Sequence, residues 1–216
     1  MTSVQTAWKT RPLSECGEWV SGGTPSKSVA SYWNGDIPWI SSKSLKTFDL
    51  SDSEDRISQD AVKNGTKLLP KGTVVFVVRG MSLANEFRVG VTAREVAFNQ
   101  DLRAIVPRSD IDGRFLARFL RARERVIMGL TDNASHGTKR LPTELVEAIQ
   151  VPIPPLSEQR RIAAILDKAD ALCKKRKKGI RLNEVLLQST FLEMFGDPES
   201  NPRGWRRVSL SSLLVS

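Results

Sequence analysis

The sequence predicts an α+β fold: a globular domain with a mixed β-sheet and short helices, followed by one long α-helix of coiled-coil-forming character. Three observations carry this. A β-branched run, Gly72-Thr73-Val74-Val75-Phe76-Val77-Val78, sits between turn residues and reads as a buried strand. Apolar residues across 115–128 recur at helical spacing among arginines. After a proline-rich break, Leu166, Cys173, Ile180, Leu187 and Met194 recur every seven residues.

The elements follow in chain order. Residues 7–40 hold Trp8, Trp19, Trp33 and Trp39 around the loop Gly22-Gly23-Thr24-Pro25-Ser26. Their rings suit either a core or a base-stacking platform. Asn34-Gly35-Asp36 ahead of Ile37-Pro38-Trp39-Ile40 reads as a tight β connection. Val89-Gly90-Val91-Thr92 and Leu102-Arg103-Ala104-Ile105-Val106 read as further short strands, and 143–148 as a short helix. Val151-Pro152-Ile153-Pro154-Pro155-Leu156 is excluded from helix interiors by its prolines and marks the boundary. The domain therefore occupies 1–156. Ser157 can cap a helix over 157–196, stopped by Gly196 and Pro198. At 1.5 Å per residue it would span roughly 55–60 Å, more than a small domain needs. Its apolar stripe (Ile162, Ile165, Leu166, Ala169, Leu172, Cys173, Ile180, Leu187) calls for a facing helix, or for the helix's own domain. Residues 197–216 read as the truncated start of a second unit, because Trp205-Arg206-Arg207-Val208-Ser209-Leu210-Ser211 echoes Trp8-Lys9-Thr10-Arg11-Pro12-Leu13-Ser14.

Charge narrows the functional classes. The 216 residues carry 33 basic and 24 acidic side chains, a net +9 suited to a polyanionic partner. The excess is spread out: 21 basic against 17 acidic residues over 1–156, and 9 against 5 over 157–195. The run Lys174-Lys175-Arg176-Lys177-Lys178 is either a solvated face or a phosphate contact. Cys16 and Cys173 lack disulfide or zinc-ligand spacing, which suits a reducing compartment. No apolar run approaches the roughly 18 residues of a membrane span and the polar start resembles no signal peptide, so a cytoplasmic protein is expected.

Reactive constellations are missing from the sequence. It has no phosphate-binding GxxxxGK[ST] loop, no HExxH metal helix, no GxSxG elbow, and no Asn/Asp-Pro-Pro-aromatic motif of DNA amino-methylases. His136 is the only histidine, in the polar loop Ser135-His136-Gly137-Thr138-Lys139-Arg140. It is either an exposed loop residue or a contact to a base or phosphate. The expectation is a non-enzyme.

Several segments together carry a family resemblance. They are Gly22-Gly23-Thr24-Pro25-Ser26, Tyr32-Trp33-Asn34-Gly35-Asp36-Ile37-Pro38-Trp39-Ile40-Ser41, and Leu69-Pro70-Lys71-Gly72-Thr73-Val74 with Arg79-Gly80. Ala97-Phe98-Asn99-Gln100-Asp101-Leu102 and Val151-Pro152-Ile153-Pro154-Pro155-Leu156-Ser157-Glu158-Gln159-Arg160-Arg161-Ile162-Ala163 complete the set. The chain resembles the specificity subunit of a type I restriction-modification system. The resemblance implies a half-length form, with one target-recognition domain that reads half of a bipartite double-stranded DNA site and one long spacer helix. It also implies methyltransferase subunits that bring S-adenosylmethionine, a separate motor-nuclease subunit and no cofactor in this chain; with one long helix in place of two, a homodimer through that helix is expected.

Side-chain chemistry then nominates DNA contacts in polar loops: Lys27, Lys43, Arg79, Asn85, Arg88, His136, Thr138, Lys139 and Arg140. Arg pairs with guanine and Asn with adenine in the major groove, while Lys more often holds phosphate. The rival reading is a non-catalytic coiled-coil dimerisation scaffold whose basic charge is incidental.

Overall fold

The computed structural model describes residues 8–133, 138–209 and Ser212. Two compact units divide after Leu166. The first begins with strands β1 (Thr10–Pro12), β2 (Gly17–Ser21), β3 (Ile37–Ile40), β4 (Asp49–Leu50) and β5 (Arg56–Ile57), then helix α1 (Gln59–Gly65). Strands β6 (Leu68–Leu69), β7 (Val74–Val77), β8 (Arg79–Gly80), β9 (Val89–Thr92), β10 (Val96–Phe98) and β11 (Leu102–Pro107) follow. Next come helices α2 (Gly113–Ala122) and α3 (Glu124–Gly129), strands β12 (Asp132–Asn133) and β13 (Lys139–Arg140), helix α4 (Thr143–Glu147) and strand β14 (Gln150–Pro152). Helix α5 (Leu156–Phe195) closes the order. The α+β expectation holds, long helix included.

The largest sheet runs β2-β11-β7-β9-β4. Its centre, β7, is buried at all four positions, which is why its sequence is continuously apolar rather than alternating. A second sheet runs β5-β3-β10-β6, with β3 parallel to β10, and a pair β1-β14 brings the two ends of the domain together. Helix α2 packs on β7 and β9, with Phe115, Leu116 and Leu120 buried in the main core. Asp112 caps it by accepting the Phe115 amide at 2.9 Å. Ser58 caps α1 in the same way through the Ala61 amide at 3.3 Å.

Three expectations are corrected here. The helical stretch over 115–128 is two helices, broken at Arg123, whose amide is shared by the Phe119 and Leu120 carbonyls. Glu124 anchors the second of them by accepting the Phe87 amide at 3.0 Å. Asn34-Gly35-Asp36 is not a β-to-β turn: it links the 3-10 turn Ala30–Trp33 to β3, whose partners are β10 and β5. The tryptophans are not one cluster. Trp39 is buried and meets Trp33 edge-on at 5.1 Å, Trp19 meets Phe76 at 5.8 Å, and Trp8 is exposed.

Both thiols are free; Cys173 is exposed, and burial pushes the Cys16 thiol up to about 11. The Arg11 guanidinium, 2.8 Å from Asp110, holds that carboxyl below the usual carboxylate range. Among the described residues no helix is long and apolar enough to cross a membrane.

The start of α5 is built into the domain. Gln159 is fully buried, and its Oε1 accepts the Asp112 amide at 2.8 Å. Its Nε2 donates to the carbonyls of Asp110 and Pro154, each at 2.9 Å. Ala163 is buried and Ile162 packs on the main core, so Ile162 belongs to the domain rather than to a free helix face. Further along, Ile165, Leu166, Ala169, Leu172, Cys173, Ile180 and Leu187 are exposed. In the second unit, the Trp205 indole donates to the Phe195 carbonyl at 2.9 Å, and Arg203 to that of Glu193 at 2.5 Å. These bonds satisfy orphan carbonyls at the helix end.

Replacing Gln159 with Ala should therefore leave buried backbone groups unpaired and cost about 2–4 kcal/mol of folding stability. Urea unfolding of the variant against wild type measures this.

Candidate nucleic-acid interface

The candidate site grows from short strands far apart in sequence. Strands β12, β13 and β8 form an antiparallel ribbon in which Arg140 lies opposite Arg79 and Lys139 opposite Gly80. The ribbon is held from both sides: the Asp101 carbonyl accepts the amides of Val78 and Arg79 at 2.9 and 3.2 Å, and the Leu141 amide donates to the Val78 carbonyl at 2.8 Å. Gly80 has φ of +137°, a conformation that disfavours side chains.

Beneath the ribbon is a concavity of about 310 Å³, lined in part by Gly22, Arg79, Gln100, Arg103, Arg140 and Thr143. The Gly22-Gly23 pair explains itself here. A Cβ on Gly22 would stand 2.4 Å from the Phe98 carbonyl oxygen, and one on Gly23 2.2 Å from that of Gly65, so only glycine lets the loop approach β10 and the end of α1. Thr24 then reaches across, its hydroxyl donating to Gln100 Oε1 at 2.6 Å.

The lining of this concavity carries basic groups and no acidic one. Several other guanidiniums meet carboxylates: Arg11 with Asp110, Arg56 with Asp52, Arg88 with Glu86, Arg114 with Asp49, Arg161 with Glu158. Among the described residues, Arg79, Arg103 and Arg140 have neither an ion pair nor a side-chain hydrogen bond, and they are the only charged residues of the lining. Uncompensated like charge in one concavity is a standing invitation to a polyanion.

The nominated residues divide. Arg79, Lys139 and Arg140 share the ribbon. Asn85 is exposed just after the 3-10 turn Met81–Ala84, which packs against β13. Lys43 is exposed on the 41–44 turn, whose Ser42 side chain lies 3.7 Å from where a Cβ on Gly80 would stand. Thr138 is half-buried just ahead of β13. Arg88 points inward, its guanidinium on Glu86 at 2.5 Å and donating to the Ser42 carbonyl at 3.1 Å, so it braces the Lys43 turn. Lys27 is exposed on the turn closed by the Val29 amide and Ser26 carbonyl. His136 lies outside the described residues.

Sequence reasoning missed Arg103 and Gln100. The signal was available: Leu102 and Ala104 point into the core, so alternation along β11 turns Arg103 to the other face. A further basic cluster is structural. Arg114, Arg118 and Arg121 surround the Phe48 ring at 5.4, 3.9 and 5.9 Å, with Arg118 only 8% exposed.

Comparison with known proteins agrees with this architecture. Residues 5–185 match the family described as the type I restriction modification DNA specificity domain. The chain is similar to the type I restriction enzyme EcoR124I/EcoR124II specificity subunit of Escherichia coli, at 32% identity over 88% of this chain and 47% of that protein. It is also similar to the type I restriction enzyme MjaIX specificity subunit of Methanocaldococcus jannaschii, at 28% identity over 96% of this chain and 51% of that protein. It thus spans about half the length of these curated relatives. The HsdS subunit from Thermoanaerobacter tengcongensis shares the fold, with a TM-score of 0.58 at 19% identity over 82% of this chain and 41% of that one. A chain from a solved type I R-M system shares it with a TM-score of 0.67 at 21% identity, over 88% of this chain and 45% of that one. From the match over residues 5–185, the protein belongs to the type I restriction-modification DNA specificity family.

Proposed function

We propose that this chain is a non-catalytic DNA-reading subunit of a type I restriction-modification complex, whose globular unit reads one half of a bipartite double-stranded target. The observation that carries the reading is the trio of guanidiniums, Arg79, Arg103 and Arg140, without an ion pair among the described residues, in one concavity of a specificity-family domain. Phosphate contacts hold such a domain in register, and base-edge contacts give it a sequence. Methyltransferase subunits would dock on the chain and supply S-adenosylmethionine and base chemistry; a motor-nuclease subunit would add cleavage. Fluorescence anisotropy of the chain with its methyltransferase on duplex DNA tests the reading. Log affinity should fall linearly with log salt, and replacing Arg79 and Arg140 together by Ala should reduce the slope by about two. Salt-insensitive binding, or an unchanged slope, contradicts it and favours the scaffold reading.

Helix α5 supports the second half of the proposal. Leu166, Leu172, Ile180 and Leu187 stand 41–72% exposed on a helix of 40 residues, about 60 Å long. Apolar surface on that scale favours a facing helix. The partner we assign is α5 of a second copy, antiparallel, with two-fold symmetry bringing the same face to itself. Identical recognition units related by that axis would read an inverted repeat with a nonspecific spacer. Methylome sequencing of cells carrying this chain and its methyltransferase should return such a motif. An asymmetric bipartite motif, with no second specificity chain present, would contradict the homodimer.

A further inference from the structure

We infer that Arg103 and Gln100 form a donor-rich clamp that reads the major-groove edge of guanine, while Arg79 and Arg140 at the rim hold phosphates. This rests on the DNA-reading proposal and names the base class that the concavity selects.

The argument begins with Gln100. A glutamine reads adenine by using both ends of its amide, the NH2 donating to N7 and the oxygen accepting from N6. Here Oε1 already accepts the Thr24 hydroxyl at 2.6 Å. Thr24 is fixed in turn by the close packing of Gly22 and Gly23 against the carbonyls of Phe98 and Gly65. With one lone pair of its oxygen held by Thr24, and its NH2 without a hydrogen-bond partner among the described residues, Gln100 presents its N–H groups more freely than its oxygen. Arginine has no acceptor at all, so Arg79, Arg103 and Arg140 offer only N–H groups. The one carboxylate in the adjoining turn, Asp101, accepts the Asn99 amide at 3.0 Å and is not part of the lining. The guanidiniums of the cleft therefore demand acceptors, and Gln100 favours them.

DNA presents such acceptors in two places: phosphate oxygens, and guanine N7 with O6. Position in the fold separates them. Arg79 and Arg140 are exposed on the ribbon, where a guanidinium fork matches the two free oxygens of a phosphodiester. Arg103 is half-buried and comes from β11, paired on both sides with Phe76 and Ser21 in the largest sheet. A rigid strand inside the concavity suits a contact that must discriminate, since its geometry is set before DNA arrives. Guanine N7 and O6 match the Arg103 fork, and the free Gln100 NH2 can join on the same edge or on a neighbouring guanine.

The test uses the chain in complex with its methyltransferase and a duplex pool randomised in sequence. Wild type should select a motif with at least one guanine per half-site whose replacement by 7-deazaguanine, which lacks N7, weakens binding roughly tenfold to hundredfold. In R103A that penalty should vanish, and the selected motif should lose the guanine while other positions persist. R103K, which keeps charge but loses the fork, should behave like R103A for selection and retain the salt slope. T24V, by releasing the Gln100 oxygen, should admit adenine beside the Arg103-read guanine. Circular dichroism and urea unfolding confirm that each variant folds. If R103A weakens all sequences equally and lowers the salt slope by about one, the acceptor is phosphate and the guanine assignment is overturned. If R103A and T24V select the wild-type motif unchanged, it is overturned as well. A wild-type complex that selects no motif refutes the DNA-reading proposal itself, and this assignment with it.

Discussion

The joint at Gln159 is the constraint on which the rest of the fold depends. One buried amide binds the Asp112 backbone, where α2 begins, the Asp110 carbonyl, and the Pro154 carbonyl of the proline segment that precedes α5. The side chain of Asp112 meanwhile caps α2, and the Glu158 and Gln159 amides return to the Pro155 carbonyl. Two helix starts thus share a single set of hydrogen bonds. Prolines at 154 and 155 donate no N–H, so nothing in this segment competes for those acceptors. The motif Pro154-Pro155-Leu156-Ser157-Glu158-Gln159 acts as a scaffold device through Gln159, which fixes the first turns of α5 on the domain.

Charge in the domain serves two ends. Arginines needed for packing are neutralised or stacked, as with Arg11 on Asp110 and the three guanidiniums around Phe48. Those lining the ribbon concavity have no such partner among the described residues. Net charge does not show this difference, since Arg88 and Arg79 are the same residue type in different surroundings. Arg88 lies between Glu86 and the Ser42 carbonyl, and Arg79 stands open on a strand clasped by the Asp101 carbonyl and Leu141.

Much of the fold was legible because its signals are local. Continuous apolarity gave β7, the Val89-Gly90-Val91-Thr92 run gave β9, and the prolines before a long periodic stretch gave the start of α5 within a residue. The ribbon was not legible. Its strands are two residues long, and β8 pairs with β13 across some 60 residues, a distance at which no local propensity operates. The Asn34-Gly35 turn misled because Gly35 is required for close approach to the Ile57 carbonyl, at 2.2 Å from a Cβ, rather than for a hairpin. Among the candidate contacts, Arg79, Lys139 and Arg140 were found from loop chemistry and do converge. Arg88 drew attention for its residue type alone, and Arg103 was passed over because an arginine inside an apolar strand reads as an interruption until alternation is applied.

In the proposed function, DNA is read by the β8–β13 ribbon and the concavity beneath it. Hydrogen–deuterium exchange of the complex with its methyltransferase, with and without the selected duplex, tests that placement directly. Amides of residues 79–81, 100–103 and 138–141 should gain protection on DNA binding, with those of α1 unchanged. Protection confined to other surfaces, with these segments exchanging at their free rates, would contradict it.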